Sequence, residues 1–564
     1  MSQHVSSSPN YLFSFFIILL FSSTICSTTQ QVNKFSSLKS RGGEQSAFGY
    51  FLWMTDIHYD PFYDPTIPNH QYFCRKPQQV VTENQPERVQ QEFHHLRNTK
   101  QKIQDFLFIE EKRKILIRNS SSPSFEGIDT NFTDYAMYGR YGCDAPKTLV
   151  ESTFSQIAQV IREHNGILPD FIVMNGDYNA HHLPNGSFVL QNTLDVTKML
   201  QSTLAKQLNV YDLPILPCIG NNDLYPDYYL PYIEDPDHGN EALTWYQSLW
   251  TGPVGWGKMF GLTEDYQRNT FLKGGYYKYE IVKTSQGRES KLVILVLNSL
   301  LYSANRYPNM TNGAEPPSDP SGQLAWMEME LLKARSELSI RDVTVYIVTH
   351  IPASQNSFDN KSLWKPMYES QFLALVSKYS EMITTILYGH LHKDQFRLFR
   401  NQQPNKVNDL GNTKNNFAMV GLSVSPVFSN NVGFRTLYYS EKYLILDYDQ
   451  YYMDIYSSNQ KRNAVWKKGY TFSKAFPTLF EEAHFINSLL VQSFLKKLEQ
   501  SYQEDDQQVD YLTQFMGYKE AQYVANRFKY FCDITMLEPT EFIKCIATGS
   551  DSGAIPIQKF INRK

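Results

Sequence analysis

Cysteine is scarce in this chain, six among 564 residues. None stands among the metal-ligating candidates developed below, which sets aside a structural zinc site built on thiolates. An excess of one charge is missing too: 53 Lys+Arg stand against 57 Asp+Glu, a net charge of −4. Nucleic-acid recognition asks for a concentrated basic footprint, so no specific nucleic-acid binding is expected. There is no internal repeat and no long low-complexity tract. Long apolar runs are absent with a single exception near the N-terminus, so no other segment is suited to span a bilayer. What remains is ordinary for a folded protein, 42% hydrophobic and 20% charged. The length suits one large α/β domain with elaborations, or two domains.

The exception is Tyr11-Leu-Phe-Ser-Phe-Phe-Ile-Ile-Leu-Leu-Phe, followed by Ser22 to Ser27. It has the length of a signal-peptide apolar core and is short for a span of about 20 residues. Thr24 and Cys26 fit the small-residue positions before a cut. The leader carries His4 but no Lys or Arg, so an uncleaved signal anchor is the alternative. Residues 1–26 are therefore expected to be a signal segment that sends the rest to the secretory pathway, extracellular or into a lysosome or vacuole lumen. An acidic working pH would follow from that route. Cys532 and Cys545 can close a short disulfide loop, Cys74 and Cys143 are the next pair, and Cys218 reads as a free core thiol. Sequons at Asn119, Asn131, Asn185, Asn309 and Asn360 permit glycosylation.

Six apolar runs stop abruptly at residues able to hold a metal or a phosphate. Phe51 to Thr55 ends in Asp56-Ile-His58. Phe171 to Asn175 ends in Gly176-Asp177, with His181 and His182 just beyond. Leu213 to Ile219 ends in Gly220-Asn221-Asn222-Asp223, and Leu292 to Leu297 ends in Asn298. Val343 to Thr349 ends in His350, and Ile383 to Gly389 ends in His390-Leu-His392. Such runs read as strands buried on both faces. Amphipathic helical patterns precede several of them, at Lys147–Glu163, Leu194–Asn209, from Gln323, and at Ser370–Tyr379. This strand–helix alternation argues for a mainly parallel sheet covered by helices. Residues from about 78 to 124 form a polar insertion. Beyond a polar loop at 401–416, further strands near Ala418, Phe434 and Tyr443 predict a second sheet. The remainder reads as helical extension, which gives a domain over 27–475 and a C-terminal extension over 476–564.

Ligands of α/β sheets sit beyond the carboxyl ends of the strands. Taken singly, each candidate has a bland explanation: Asp177 as a helix cap, Asn221 as a turn residue, His350 as a satisfied core histidine. Jointly they do not, since six of the 13 histidines fall near these ends with two carboxylates and an amide. Asp56 and His58 alternate along an extended segment, so both are expected to point one way, as are His390 and His392. Oxygen plus imidazole suits Zn²⁺, Mn²⁺ or Fe. Seven candidate ligands, Asp56, His58, Asp177, Asn221, His350, His390 and His392, exceed one ion and suit two.

The motif order Asp-x-His, Gly-Asp, Gly-Asn-x-Asp, a lone His and Gly-His-x-His resembles the calcineurin-like metallophosphoesterases. Within them it is similar to the acid-sphingomyelinase-like phosphodiesterases, a branch that also holds endopolyphosphatases. Landmarks over about 49–455 carry the likeness: Tyr141-Gly-Cys-Asp-x-Pro, Gly274-Gly-Tyr-Tyr, Leu297-Asn-Ser-Leu-Leu-Tyr, Asp319-Pro-x-Gly-Gln-x-x-Trp326, Ser423-Val-Ser-Pro and Asn431-Val-Gly-Phe-Arg435. The resemblance implies an α/β fold, a β-sandwich of mixed sheets flanked by helices. It implies two divalent cations, Zn²⁺ foremost: one on Asp56, His58, Asp177 and His392, the other on Asp177, Asn221, His350 and His390. A metal-activated hydroxide would cleave a phosphodiester, with His181 contacting the phosphate or donating the leaving-group proton. Family members commonly read Gly-Asn-His-Asp/Glu, and here Asn222 stands in place of the histidine. Asn222 can donate a hydrogen bond to a phosphoryl oxygen but cannot act as a general acid. The expected protein is a monomeric sphingomyelinase-like phosphodiesterase of small molecules. An endopolyphosphatase acting on phosphoanhydrides and a catalytically silent metal-binding relative are the alternatives.

Overall fold

The computed structural model describes residues 48–67, 74–75 and 135–494, apart from 253, 286, 309, 311–313, 357–360, 400–415, 429 and 482. The expected signal segment, the 78–124 insertion, the loop at 401–415, Cys26, Cys532 and Cys545, four of the five sequons and the extension beyond 494 lie outside them. The chain divides into two compact units, one comprising residues up to Tyr63 and from Met137 onward, the other Asp64–Ala136. In the described part of the second unit, Asp64 accepts from the Thr66 backbone and hydroxyl, and its own N–H donates to the Cys74 carbonyl.

The first unit carries two six-stranded sheets. One runs β12-β11-β10-β1-β2-β3, with β1 at Gly49–Met54, β2 at Ile172–Met174, β3 at Ile215–Pro217, β10 at Val432–Tyr439, β11 at Ile445–Met453 and β12 at Trp466–Thr471. The other runs β4-β5-β6-β7-β9-β8, with β4 at Tyr277–Ser285, β5 at Arg288–Val296, β6 at Asp342–Val348, β7 at Ile383–Tyr388, β8 at Gln395–Phe399 and β9 at Asn416–Val420. The two mixed sheets match the expected sandwich flanked by helices, but the mainly parallel sheet expected from strand–helix alternation is divided between them. Its six strands fall into two parallel triplets, β1-β2-β3 and β5-β6-β7. Alternation fixes parallel pairing within a triplet, but it says nothing of which triplets share a sheet. The late strands do not make a separate sheet either: β10 adds antiparallel to β1, while β9 adds parallel to β7.

Each triplet is apolar because both of its faces are covered. All of β1 is buried, and so are the short strands β2 and β3. Phe51 of β1 meets Tyr346 of β6, ring centroids 5.9 Å apart, where the inner faces of the two sheets meet. Helices Lys147–Glu163 and Gly186–Leu208 pack together, and Gln323–Glu337 lies on β6. Asn185 begins the second of these helices: its side-chain oxygen accepts from the Phe188 N–H at 3.0 Å, with the residue exposed. Cys218 is a free buried thiol, and Cys74 and Cys143 are each disulfide-bonded. No helix among the described residues is long and apolar enough to cross a membrane.

At the carboxyl ends the sheets are stitched by Asn175, which follows β2. Its side-chain amide donates to the Thr349 carbonyl at 2.8 Å and the Leu387 carbonyl at 3.0 Å, joining the end of β2 to the ends of β6 and β7. These carbonyls lie in the buried seam; the Leu387 carbonyl also accepts from the Thr349 N–H, so the loss of roughly 1–3 kcal/mol for a bared acceptor falls chiefly on the Thr349 carbonyl. Asn175→Ala is expected to lower unfolding free energy by about 3 kcal/mol in urea titrations; a change under about 0.5 kcal/mol would remove this stitch from the fold's supports.

Candidate metal centre

Five of the seven expected ligands have left-handed backbone: Asp56 (φ 51°), His58 (43°), Asp177 (54°), His390 (69°) and His392 (60°). Such φ values are uncommon outside glycine, though Asp and His tolerate them better than most. They persist only where surrounding structure enforces them, and they cluster at functional sites. The convergence of Asp56 with His58, and of His390 with His392, is therefore not the alternation of an extended segment that the sequence suggests. Sharp turns straight after the strands bring these side chains together. Backbone bonds hold the turns in place, Asp56 N–H to the Gly176 carbonyl at 3.1 Å and His58 N–H to the Asp177 carbonyl at 2.9 Å. Gly176, at φ 86°, lies so close to Gly220 that a Cβ would sit 2.6 Å from the Gly220 nitrogen. Gly389 likewise has no room for a side chain between Thr55, Asp56 and His350.

The expected ligands gather in two groups, Asp56 with His58 and His392, and Asp177 with His350 and His390; a third group shares His58 and adds Asp144 and His181. His58 Nε2 and His392 Nε2 are 3.2 Å apart, and His392 Nε2 is 3.2 Å from Asp56 Oδ1. Asp177 Oδ2 lies 3.5 Å from His58 Nε2 and 3.2 Å from His350 Nε2, so it faces both groups. Carbonyls fix the imidazoles from behind: His58 Nδ1 is 2.9 Å from the Asn179 oxygen and His350 Nδ1 2.7 Å from the Asn175 oxygen. Each ring thereby turns Nε2 inward, the arrangement in which an outer partner sets a metal-binding tautomer.

The donor set fits divalent cations. Asn221 Oδ1 is buried with no hydrogen-bond partner among the described residues, a cost that a cation would relieve. Burial works against the charge of Asp56, yet His392 and His58 hold its carboxyl well below the usual range. Asp177 is held down in the same way, against burial, by His350 and His58. Burial, reinforced by His350, pushes His390 down to about 3, which keeps its imidazole neutral and able to ligate.

The sixth strand end stays outside this set. Asn298 Oδ1 accepts from the Leu300 N–H, and its amide donates to the Gly274 carbonyl and the Tyr246 hydroxyl, so it is a satisfied brace. Asn222 does not extend away from the ligands. Its backbone N–H donates to Asp177 Oδ1 at 2.8 Å and its side-chain amide to Asp177 Oδ2 at 2.7 Å. His181 stacks on His58 with centroids 4.5 Å apart and planes 11° apart, and its Nδ1 is 3.1 Å from Asp144 Oδ1. His182 is exposed and belongs to neither ligand group.

Three carboxylates here have roles not assigned from sequence. Asp144 was visible only as part of the Tyr141-Gly-Cys-Asp landmark. Burial opposes its charge, but His181 holds its carboxyl at about 2. Asp223, last in Gly-Asn-Asn-Asp, accepts from the N–H groups of Gly220, Asp177 and Tyr178 and from the Asn179 amide, tying the second and third strand ends together. Burial raises Asp227 to about 6, with His181 acting against it. No motif marks Asp227.

Residues 50–394, more than half of the chain, match the family model described as calcineurin-like phosphoesterase. A sphingomyelinase phosphodiesterase D of Dictyostelium discoideum is 30% identical over 426 residues, 75% of this chain and 79% of the relative. A cyclic GMP-AMP phosphodiesterase of Bos taurus is 26% identical over 425 residues, covering 73% of this chain and 83% of its own. An acid sphingomyelinase-like phosphodiesterase 3b of Homo sapiens is 24% identical over 364 residues, with 63% and 71% covered.

Removing an outer partner of a metal ligand commonly weakens metal affinity by about 10–100-fold. Asn222→Ala, which strips a donor from Asp177, is expected to weaken Zn²⁺ binding to metal-free protein by about tenfold in calorimetric titration. Unchanged affinity would show that the Asn222 amide does not position Asp177.

Proposed function

The chain belongs to the calcineurin-like phosphoesterases and is a metal-dependent phosphodiesterase, and from that premise we propose a two-cation hydrolysis of small-molecule phosphodiesters at the carboxyl ends of the two sheets. One observation carries it: two ligand groups meet at Asp177, and the Asp144–His181 pair stacks directly beside them on His58. Asp56, His58, Asp177 and His392 would hold one ion, and Asp177, Asn221, His350 and His390 the other. Zn²⁺ is the first choice for this oxygen and imidazole set, with Mn²⁺ or Fe admitted. When bound, such a pair lowers the pKa of water and clamps phosphoryl oxygens for in-line displacement.

The chain's own residues do the rest. Asp144 grips Nδ1 of His181, so Nε2 is the nitrogen that delivers a proton to the departing alkoxide. Asn222 steadies Asp177 and takes no part in proton transfer. The diester reading is favoured over an endopolyphosphatase by the activities named for the relatives, sphingomyelinase and cyclic dinucleotide phosphodiesterase. We place the protein on the secretory route, on the strength of its N-terminal apolar stretch.

Protein freed of metal and reloaded with Zn²⁺ or Mn²⁺ should hydrolyse bis-p-nitrophenyl phosphate. Asp177→Asn and His390→Ala should each lower kcat/KM at least about 100-fold; undiminished turnover in either would sink the ligand assignment. His181→Ala and Asp144→Asn are expected to lower kcat about 100-fold on a dialkyl diester, within the range for general acid catalysis. Both should act far less on bis-p-nitrophenyl phosphate, because nitrophenolate departs without a proton. Equal losses on the two substrates would deny His181 its donor role.

A further inference from the structure

A tight turn at residues 226–229 is bound to the third strand end. The Tyr229 N–H donates to the Pro226 carbonyl at 2.9 Å, and Tyr228, third in the turn, has φ 65°. A left-handed third position usually falls to Gly or Asn, and a bulky side chain there is an outlier. Backbone bonds on both sides hold it. The Tyr228 N–H donates to the carbonyl of Asn221, an expected ligand, at 3.0 Å, and its own carbonyl accepts from the Tyr307 N–H at 3.2 Å. The Leu230 N–H donates to the Tyr307 carbonyl at 2.9 Å, which fixes the chain just past the turn. Strain of this kind persists where surrounding structure enforces it, and it gathers at functional sites.

The turn carries Asp227 at its corner. This residue is half-buried, and no hydrogen bond or ion pair joins its carboxyl to another described residue. The charges that act on it are those of His181, Asp177, His58 and Asp144, all of them groups of the candidate centre. Neither imidazole is left over to serve as its counterion. His181 is engaged by Asp144, with Nδ1 3.1 and 3.2 Å from the two carboxylate oxygens, and His58 lies against Asp56 and Asp177. A site for anions ordinarily gathers cations and N–H donors. A bare carboxylate at its side acts against any anion that enters, and more strongly the more charge the anion carries.

Resting on the hydrolase reading above, we infer that Asp227 is a specificity-determining residue that selects singly charged diesters by repelling the further negative charge of a phosphomonoester or polyphosphate. A diester carries one negative charge, and a monoester above neutrality carries two. At an effective dielectric constant of about 20, one extra like charge several ångströms away weakens binding by roughly a factor of ten or more. Recruitment of a cation-bearing substrate would need further groups around that cation, typically several aromatic faces for a quaternary ammonium. Repulsion needs only the charge.

The test uses the full chain loaded with two metals at pH 8, with metal content measured for each variant. The Asp227 carboxyl, pushed up to about 6 by burial, is ionised there, and p-nitrophenyl phosphate is a dianion. Asp227→Asn is expected to raise kcat/KM for p-nitrophenyl phosphate about tenfold relative to bis-p-nitrophenyl phosphate, while Asp227→Glu keeps the wild-type ratio. Both esters release nitrophenolate, so proton donation does not enter the ratio. In equilibrium dialysis, inorganic phosphate should bind the Asp227→Asn variant about tenfold more tightly, with dimethyl phosphate unchanged. Should Asn disturb the turn, Asp227→Ser is the second uncharged variant. An unchanged ratio, an equal change for both esters, or a loss confined to p-nitrophenylphosphocholine, which would make Asp227 a cation-binding group, overturns the inference. If metal-loaded wild type turns over neither ester, the hydrolase reading fails, and the phosphate dialysis alone then decides whether the carboxylate repels the second charge.

Discussion

The amide of Asn175 ties together what the rest of the molecule depends on. It sits one residue past β2, in one sheet, and donates to backbone carbonyls past β6 and within β7, in the other. Its own carbonyl faces His350 Nδ1 and so aims that imidazole. One residue thus sets the relative position of two sheets and the orientation of a ligand that belongs to the second. The candidate centre needs such a constraint, because its donors are divided between the sheets: Asp56, His58, Asp177 and Asn221 come from the first, His350, His390 and His392 from the second. Donor atoms a few tenths of an ångström out of place forfeit much of what a metal site offers.

A second layer of carboxylates and amides performs the same task at shorter range. Asp223 collects N–H donors from the second and third strand ends, Asn222 clasps Asp177, and Asp144 clasps His181. None of these three is a ligand in the proposed assignment. Asp223 and Asn222 each restrain Asp177, which is one, and Asp144 restrains His181, the proposed proton donor. The left-handed turns at Asp56, His58, Asp177, His390 and His392 are tolerable for that reason, since their conformational cost falls on a frame already held by hydrogen bonds.

Much of this was legible in the sequence. An apolar run followed by Asp, Asn or His marks the carboxyl end of a buried strand, and the ends at Asp56, Asp177, Asn221, His350 and His390 do meet. The run ending at Asn298 has the same appearance, yet its amide is spent on the Gly274 carbonyl and the Tyr246 hydroxyl. Those partners lie far off in the chain, beyond the reach of local pattern. The division into two sheets was illegible for the same reason, because pairing of β10 with β1 and of β9 with β7 joins segments separated by long stretches of chain. Left-handed φ at non-glycine residues leaves little trace in composition, so the route by which Asp56 and His58 converge could be seen only in the folded backbone. Asn222 was legible as a departure from a family motif. Its orientation toward Asp177 was not.

The division of donors between the sheets has a consequence for how the protein ages. Ions held as proposed, by side chains from both layers, would act as rivets across a seam, since binding to the folded state alone adds to its stability. Their loss would leave the seam to Asn175 and the apolar faces, and any parting of the layers would take donors away from both ions. Chelation and unfolding would then be one process approached from opposite directions.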